Sequence, residues 1–166
     1  YFLYADIDPP FRSRNVVQRI FLSRRLTQLL HHPIRPSFVV YSASTWLSYL
    51  WMCRNLAEYW PRRSGDTPAA IGRLADSVVR RLGIEDWDRD GGLLRRHGRL
   101  RYREGVVSEA ERRSKDPDLC FYAERNPRQR EGDSLVCVFP LHLRNMIRMV
   151  TRMIARLLAQ HRSRPR

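Results

Sequence analysis

Residues 37–45 have the sequence Ser-Phe-Val-Val-Tyr-Ser-Ala-Ser-Thr, an apolar run that ends in hydroxyl side chains. An uninterrupted apolar run of this length is typical of a strand that is buried on both faces. Serine and threonine are favoured at the position that caps a helix. The pattern therefore predicts a strand over residues 37–41 and a helix that opens in residues 42–45 and runs to about Tyr59.

The same alternation continues on both sides of this segment. Apolar residues recur at helical spacing in three further stretches, which are residues 15–32, 69–82 and 141–161. Short apolar runs predict additional strands at residues 1–5, 100–107, 119–123 and 135–139. Apolar strands that alternate with helices favour an α/β fold, with a mainly parallel sheet covered by helices on both faces.

Length and composition limit the class of protein. The 166 residues suit one domain, and the 43% of apolar residues argues against general disorder. No apolar run approaches the roughly 18 residues that a membrane span needs, so no membrane span is expected. Cys53, Cys120 and Cys137 are isolated in the sequence, which predicts three buried thiols in a reducing compartment.

The charge of the chain is its strongest functional feature. Lysine and arginine number 31 against 17 acidic residues, a formal charge of +14, and Lys115 is the only lysine. Such an excess indicates a polyanionic neighbour, either nucleic acid or an anionic membrane surface. Basic residues recur on nearly every predicted element, which favours RNA contacts to phosphates and shape inside a large particle. The predicted RNA-binding residues are Arg24, Arg25, Arg80, Arg81, Arg95, Arg96, Arg112, Arg113, Arg162 and Arg164.

Polar side chains follow the predicted strands at the points where they end. Asp6 and Asp8 follow the first strand, Ser42 the second and Glu124 the run at 119–123, with Lys115 just before that run. Ligands gather at the carboxyl ends of parallel strands. Carboxylates, a hydroxyl and an ammonium that meet there would suit phosphoryl transfer assisted by Mg²⁺.

These segments resemble, in order, the motifs of one enzyme family. Asp-Ile-Asp at residues 6–8 is similar to the DxD motif of the haloacid dehalogenase (HAD) superfamily. Val-Val-Tyr-Ser-Ala-Ser at 39–44 resembles the second motif of its CTD-phosphatase and NLI-interacting-factor branch. Arg-Tyr-Arg-Glu at 101–104 and Lys-Asp at 115–116 resemble that branch's Tyr-Arg-Glu segment and third motif. Residues 119–127 resemble its fourth motif, and the resemblance covers most of the chain.

The resemblance implies roles for individual residues. Asp6 would be the nucleophile, Asp8 the general acid/base, and Ser42 and Lys115 the phosphate ligands. Glu124 would join Asp6 and Asp8 as a ligand of Mg²⁺. It also implies one HAD-like domain over residues 1–161, with an insertion at about 61–94 and a basic tail at 162–166.

Departures from the family pattern favour a catalytically degenerate domain. Pro9-Pro10 fills the two places after the DxD motif, and Glu124-Arg125 replaces Asp-Asn in the fourth motif. A longer carboxylate beside a guanidinium should weaken an octahedral Mg²⁺ site.

Three functions are compatible with these patterns. The first is a HAD-like pseudoenzyme that contacts RNA and neighbouring proteins as a structural or assembly component of a ribonucleoprotein particle. A mitochondrial ribosome, and hence the mitochondrial matrix, is the expected setting, and no small-molecule cofactor is expected. The second is an active Mg²⁺-dependent phosphoprotein phosphatase that forms an aspartyl phosphate. The third takes Asp6 and Asp8 as the metal pair of a primase- or glycosyltransferase-like enzyme, although the companion motifs are missing.

Overall fold

The computed structural model describes residues 16–31, 35–95 and 115–162. Its elements, in chain order, are α1 (Val16–His31), β1 (Phe38–Ala43), α2 (Trp46–Asn55), α3 (Ala69–Arg81), β2 (Trp87–Asp88), β3 (Leu93–Leu94), α4 (Pro117–Arg125), a 3₁₀ turn (Gln129–Glu131), β4 (Ser134–Pro140) and α5 (Leu143–Arg162).

Strand β4 is the centre of a four-stranded sheet with the order β1-β4-β3-β2, and every pairing in it is antiparallel. β1 pairs with β4 along its whole length, from Phe38 opposite Pro140 to Ala43 opposite Leu135. The other edge of β4 is shared by β3 and by Trp60. The amide and carbonyl of Trp60 exchange two hydrogen bonds of 2.8 Å with Val138.

The prediction of a mainly parallel, HAD-like sheet is therefore wrong. Burial on both faces makes a strand continuously apolar whatever the direction of its neighbours, so the apolar pattern does not report strand direction. All residues of β4 are buried, yet its neighbours run antiparallel to it.

Residues 119–123 form the middle of helix α4, so the prediction of a strand there is also wrong. The Asp116 carboxylate caps the helix by accepting from the amides of Asp118 and Leu119, and Pro117 occupies the first turn, where a missing N–H costs nothing. Leu119 and Tyr122, three residues apart, place one face of the helix in the core.

Other predicted elements are confirmed within a few residues. β1 and β4 include the predicted strands at 37–41 and 135–139 except Ser37, and α1, α3 and α5 match the predicted amphipathic helices. Thr45 caps α2 by accepting from the Ser48 amide at 3.3 Å, and that helix ends at Asn55, earlier than predicted. The strands predicted at 1–5 and 100–107 lie outside the described residues.

Side chains of β4 alternate between two apolar cores. In the first core, Leu135, Cys137 and Phe139 pack with residues of α2, α4 and α5. In the second core, Val136 and Val138 pack against α3. Burial of a large apolar side chain stabilises the fold by about 1.5–3 kcal/mol. Helices therefore cover both faces of the sheet, and α3 lies on the face opposite to α5.

A buried amide joins the end of β4 to the loop after α2. Asn145 is fully buried, and its Nδ2 donates to the carbonyls of Glu58 and Pro140 at 2.8 Å each. Its Oδ1 accepts from the amides of Ala57 and Glu58 at 2.8 and 2.9 Å. These four bonds use all the hydrogen-bonding capacity of an asparagine side chain.

An ion-paired arginine holds the short β2–β3 hairpin to the sheet. Arg95 contacts the Asp88 carboxylate at 2.5 Å and the fully buried Asp133 carboxylate at 3.1 Å. The Gly91 amide and the Arg95 guanidinium lower the pKa of Asp88 from its ordinary value of 3.8. Hydrogen bonds to Asp133 and Asp88 in turn raise the pKa of Arg95.

Replacement of Asn145 by alanine should strongly destabilise the fold. It removes the partners of two amides and two carbonyls, and each buried polar group left unpaired costs about 1–3 kcal/mol. We expect the free energy of unfolding, measured by urea denaturation, to fall by about 3 kcal/mol or more. Thr151→Ala, which removes one exposed hydrogen bond from the same helix, is the control and should change it by less than about 1 kcal/mol. Equal losses in the two variants would contradict the role of the buried amide.

Replacement of Asp88 by asparagine should destabilise the protein at neutral pH and much less in acid. A lowered pKa means that the Asp88 carboxylate stabilises the fold above its unfolded-state value and stops doing so as the pH falls through its folded-state value. At pH 7 we expect the unfolding free energy to drop by about 1 kcal/mol. The difference in Tm, followed by circular dichroism, should narrow as the pH falls below 3.8. Asp66→Asn, at an exposed loop residue, is the control; a gap that stays constant with pH would refute the assignment.

Candidate functional site

Ser42, Lys115 and Glu124, the described residues predicted for phosphoryl transfer, do not follow parallel strands. Ser42 is buried in β1 opposite Val136, and β1 runs antiparallel to β4. Glu124 is exposed in the last turn of α4, and exposed Lys115 precedes the capping residue of that helix. Asp6 and Asp8 lie outside the described residues. Ser42, Lys115 and Glu124 therefore do not meet at the ends of parallel strands, and the catalytic roles of all five residues stay predictions.

Metal binding was predicted at Asp6, Asp8 and Glu124, of which the described ranges contain only Glu124. Within those ranges no group of three or more histidine, cysteine, aspartate or glutamate side chains could hold a metal ion. Where two carboxylates do converge, at Asp88 and Asp133, the guanidinium of Arg95 lies between them as the cation. The Mg²⁺ site stays a prediction.

A cleft of about 330 Å³ opens between α3, the β2–β3 turn and the sheet. Trp60, Ile71 and Val138 are among the side chains of its walls. Its buried carboxylate, Asp76, accepts from the Trp87 indole at 2.8 Å and pairs with Arg89 at 2.8 Å. The protein therefore satisfies this carboxylate itself, and the arrangement anchors the hairpin to α3.

The cysteines differ in exposure, so the prediction of three buried thiols is wrong for Cys120, which is exposed. Burial raises the pKa of the half-buried Cys53 to about 11. It also raises the pKa of Cys137, which is completely buried. The thiolate is the reactive form of cysteine, so Cys53 and Cys137 are not nucleophiles at neutral pH.

A first group of arginines forms ion pairs with acidic side chains of the protein itself. These ion pairs join Arg54 to Asp116 at 3.5 Å, Arg63 to Asp118 at 3.6 Å, Arg89 to Asp76 at 2.8 Å, Arg95 to Asp88 and Asp133, and Arg128 to Glu131. Arg95, predicted to bind RNA, belongs to this paired group and is only partly exposed. Its guanidinium is therefore engaged in holding the hairpin.

A second group of arginines is exposed and has no ion-pair partner within the described ranges. Arg73, Arg80 and Arg81 form such a group on α3, here called the α3 arginine face. Arg73 and Arg80 are seven residues apart and lie on the same side of the helix. Opposite that side, Ile71, Ala75, Val78 and Val79 pack into the second core, so a stable helix carries these guanidinium groups.

The remaining predicted RNA-binding residues are distributed as follows. Arg24 is exposed on α1, and the side chains of Arg25 on α1 and Arg162 at the end of α5 are not among those described. Arg96, Arg112, Arg113 and Arg164 lie outside the described residues.

A row of arginines on α5 was missed. Arg144, Arg148 and Arg152 are exposed at intervals of four residues, and they have no ion-pair partner in the part of the chain that the structure describes. The sequence does contain a signal for this row, namely arginines spaced four residues apart in a predicted helix that has no acidic residue. The predicted RNA-binding arginines are adjacent in sequence or two residues apart, a pattern that does not detect a spacing of four residues.

No helix within the described ranges is long and apolar enough to span a membrane.

No family model, curated protein or solved structure matches this chain, so the HAD resemblance stays a prediction from its motifs.

Proposed function

We propose that this protein binds RNA by phosphate contacts, with the α3 arginine face as one contact surface. The observation that carries the proposal is the contrast between two groups of exposed arginines. Arg54, Arg63 and Arg128 face acidic side chains, whereas Arg73, Arg80 and Arg81 have no acidic partner within the described ranges.

Charge balance supports an external anion. The formal charge of +14 destabilises the folded chain through self-repulsion, and several of its acidic groups are already engaged in ion pairs. When arginines without an ion-pair partner among the described residues bind the phosphates of a nucleic acid, the counterions condensed along those phosphates are released. This release makes binding favourable and dependent on salt.

The chemistry of arginine suits this role. A guanidinium presents two parallel N–H donors to a phosphate and binds it as a fork, where a lysine acts as a point charge. Arg80 and Arg81 also complement the dipole at the end of α3, a local role that needs no ligand. Arg73 lies two turns away from that end, so the helix dipole does not account for it.

The distribution of arginines favours RNA in a particle over a reader of one groove. Exposed arginines without an ion-pair partner among the described residues occur on α1, α3 and α5, on both faces of the sheet. Contacts on several sides are typical of a component enclosed by folded RNA, recognised by phosphates and shape. An assembly role in a ribonucleoprotein particle is the corresponding cellular function, as the sequence predicts.

Fluorescence anisotropy with a labelled RNA hairpin, titrated over a range of KCl concentrations, tests the proposal. Removal of the face in the triple variant R73Q/R80Q/R81Q should weaken binding and reduce the slope of log K against log salt by about 2–3, because each lost phosphate contact contributes about 0.7–0.9. Circular dichroism confirms that the variant is folded.

The matched control is R54Q/R63Q/R128Q, which removes the same charge from arginines that are ion-paired. We expect its salt slope to change by less than about 1. A wild-type protein that does not bind the hairpin would refute the proposal. Equal effects of the two triple variants would show that net charge, not the α3 arginine face, determines binding.

A further inference from the structure

Helix α5 exposes a continuous band of large apolar side chains. Its members, here called the α5 apolar stripe, are Leu143 (73% exposed), Ile147 (57%), Ile154 (49%), Leu157 (51%) and Leu158 (57%). At about 100° per residue these side chains occupy an arc of roughly 100° around the helix. Met146 and Met149 are buried and lie on a neighbouring arc that faces the first core. The stripe is therefore additional to the face that packs on the protein.

A row of arginines borders the stripe on its other side. Arg144, Arg148 and Arg152 are exposed and follow each other along about 12 Å of the helix. α5 contains no acidic residue, so nothing on the helix itself offsets their charge. The exposed surface of α5 thus carries an apolar stripe beside a cationic row.

Helix α1 packs against α5 and has the same character. Ile20 and Leu26 are exposed by 39% and 54%, Arg19 and Arg24 are exposed, and α1 has no acidic residue. The exposed side chains of these two packed helices are here called the α1–α5 face; they are apolar, basic or hydroxyl-bearing, and none of them is acidic.

Charge selects the partner of this face. A second copy of the chain would bring arginines against arginines with no carboxylate on either α1 or α5 to pair with them. RNA would supply phosphates for the arginines but no apolar surface for the stripe. An anionic bilayer supplies both, because acyl chains receive apolar side chains while lipid phosphates and carboxylates receive the guanidinium groups.

We propose that the α1–α5 face docks on an anionic lipid bilayer, with α5 lying in the plane of the interface. The apolar stripe enters the boundary between headgroups and acyl chains, and the arginine row stays at the level of the headgroups. This proposal assigns the arginines of α1 and α5 to lipid phosphates instead of RNA phosphates. RNA can still bind the α3 arginine face, because α3 covers the opposite face of the sheet and stays accessible when α5 is docked.

Co-sedimentation of the full chain with phospholipid vesicles tests the proposal. Vesicles of phosphatidylcholine with about 30% phosphatidylserine should bind the protein at least about tenfold more tightly than vesicles of phosphatidylcholine alone. The variant I154Q/L158Q keeps the charge and changes only exposed positions, and it should weaken binding at least about tenfold. The control L47Q/L82Q changes two exposed leucines on other elements and should bind as the wild type does.

Several outcomes would overturn the proposal. Absence of binding to the anionic vesicles, or equal losses in I154Q/L158Q and L47Q/L82Q, would do so. If I154Q/L158Q binds the vesicles as the wild type does and R148Q/R152Q loses vesicle binding, the protein adsorbs by charge alone and the α5 apolar stripe does not dock. A dimer in sedimentation velocity that I154Q/L158Q dissociates would assign the stripe to a second copy. The variant R73Q/R80Q/R81Q separates the two proposals, because it should keep vesicle binding while it loses affinity for RNA.

Discussion

Burial of β4 on both faces is the constraint on which the rest of this structure depends. A strand whose side chains are buried on both faces of the sheet needs an apolar layer on each face. Val136 and Val138 receive that layer from α3, and Leu135, Cys137 and Phe139 receive it from α2, α4 and α5. The two helical layers are then separated by one sheet, so the outer surfaces of α3 and α5 point away from each other.

Polar side chains inside this apolar frame fix the elements that the sheet alone would leave loose. Asn145 holds the Ala57–Glu58 loop against the start of α5, and Arg95 holds the β2–β3 hairpin through Asp88 and Asp133. Each group has partners, which is what makes burial of an amide and of a carboxylate tolerable. The ion-paired Arg95 is therefore part of the architecture.

Local signals in the sequence predicted local structure well and tertiary arrangement poorly. The apolar runs at β1 and β4 and the periodicity of α1, α3 and α5 depend on neighbouring residues, so these elements were predicted close to their bounds. Strand direction depends on segments distant in the chain, and no local pattern contains it. Lys115-Asp116 was interpreted as part of a family motif, although Asp116 followed by Pro117 is a typical start of a helix. Asp116 in fact caps α4, and Pro117 lies in its first turn. Arg80 and Arg81 were predicted to bind RNA and are exposed, whereas the pairing of Arg95 with Asp133, 38 residues away, has no local signal in the sequence.

The register of β1 against β4 has a consequence for how the chain folds. The two strands are roughly a hundred residues apart in sequence. Pairing them therefore costs chain entropy before the sheet and the cores make the contacts that stabilise it. During synthesis β1 emerges before β4, and its apolar residues Val39 and Val40 stay exposed to solvent until β4 pairs with it. Helices α2 and α3 can form during that interval, but neither core can close until β4 arrives. Closure of both cores thus depends on β4, which follows β1, β2 and β3 in the chain.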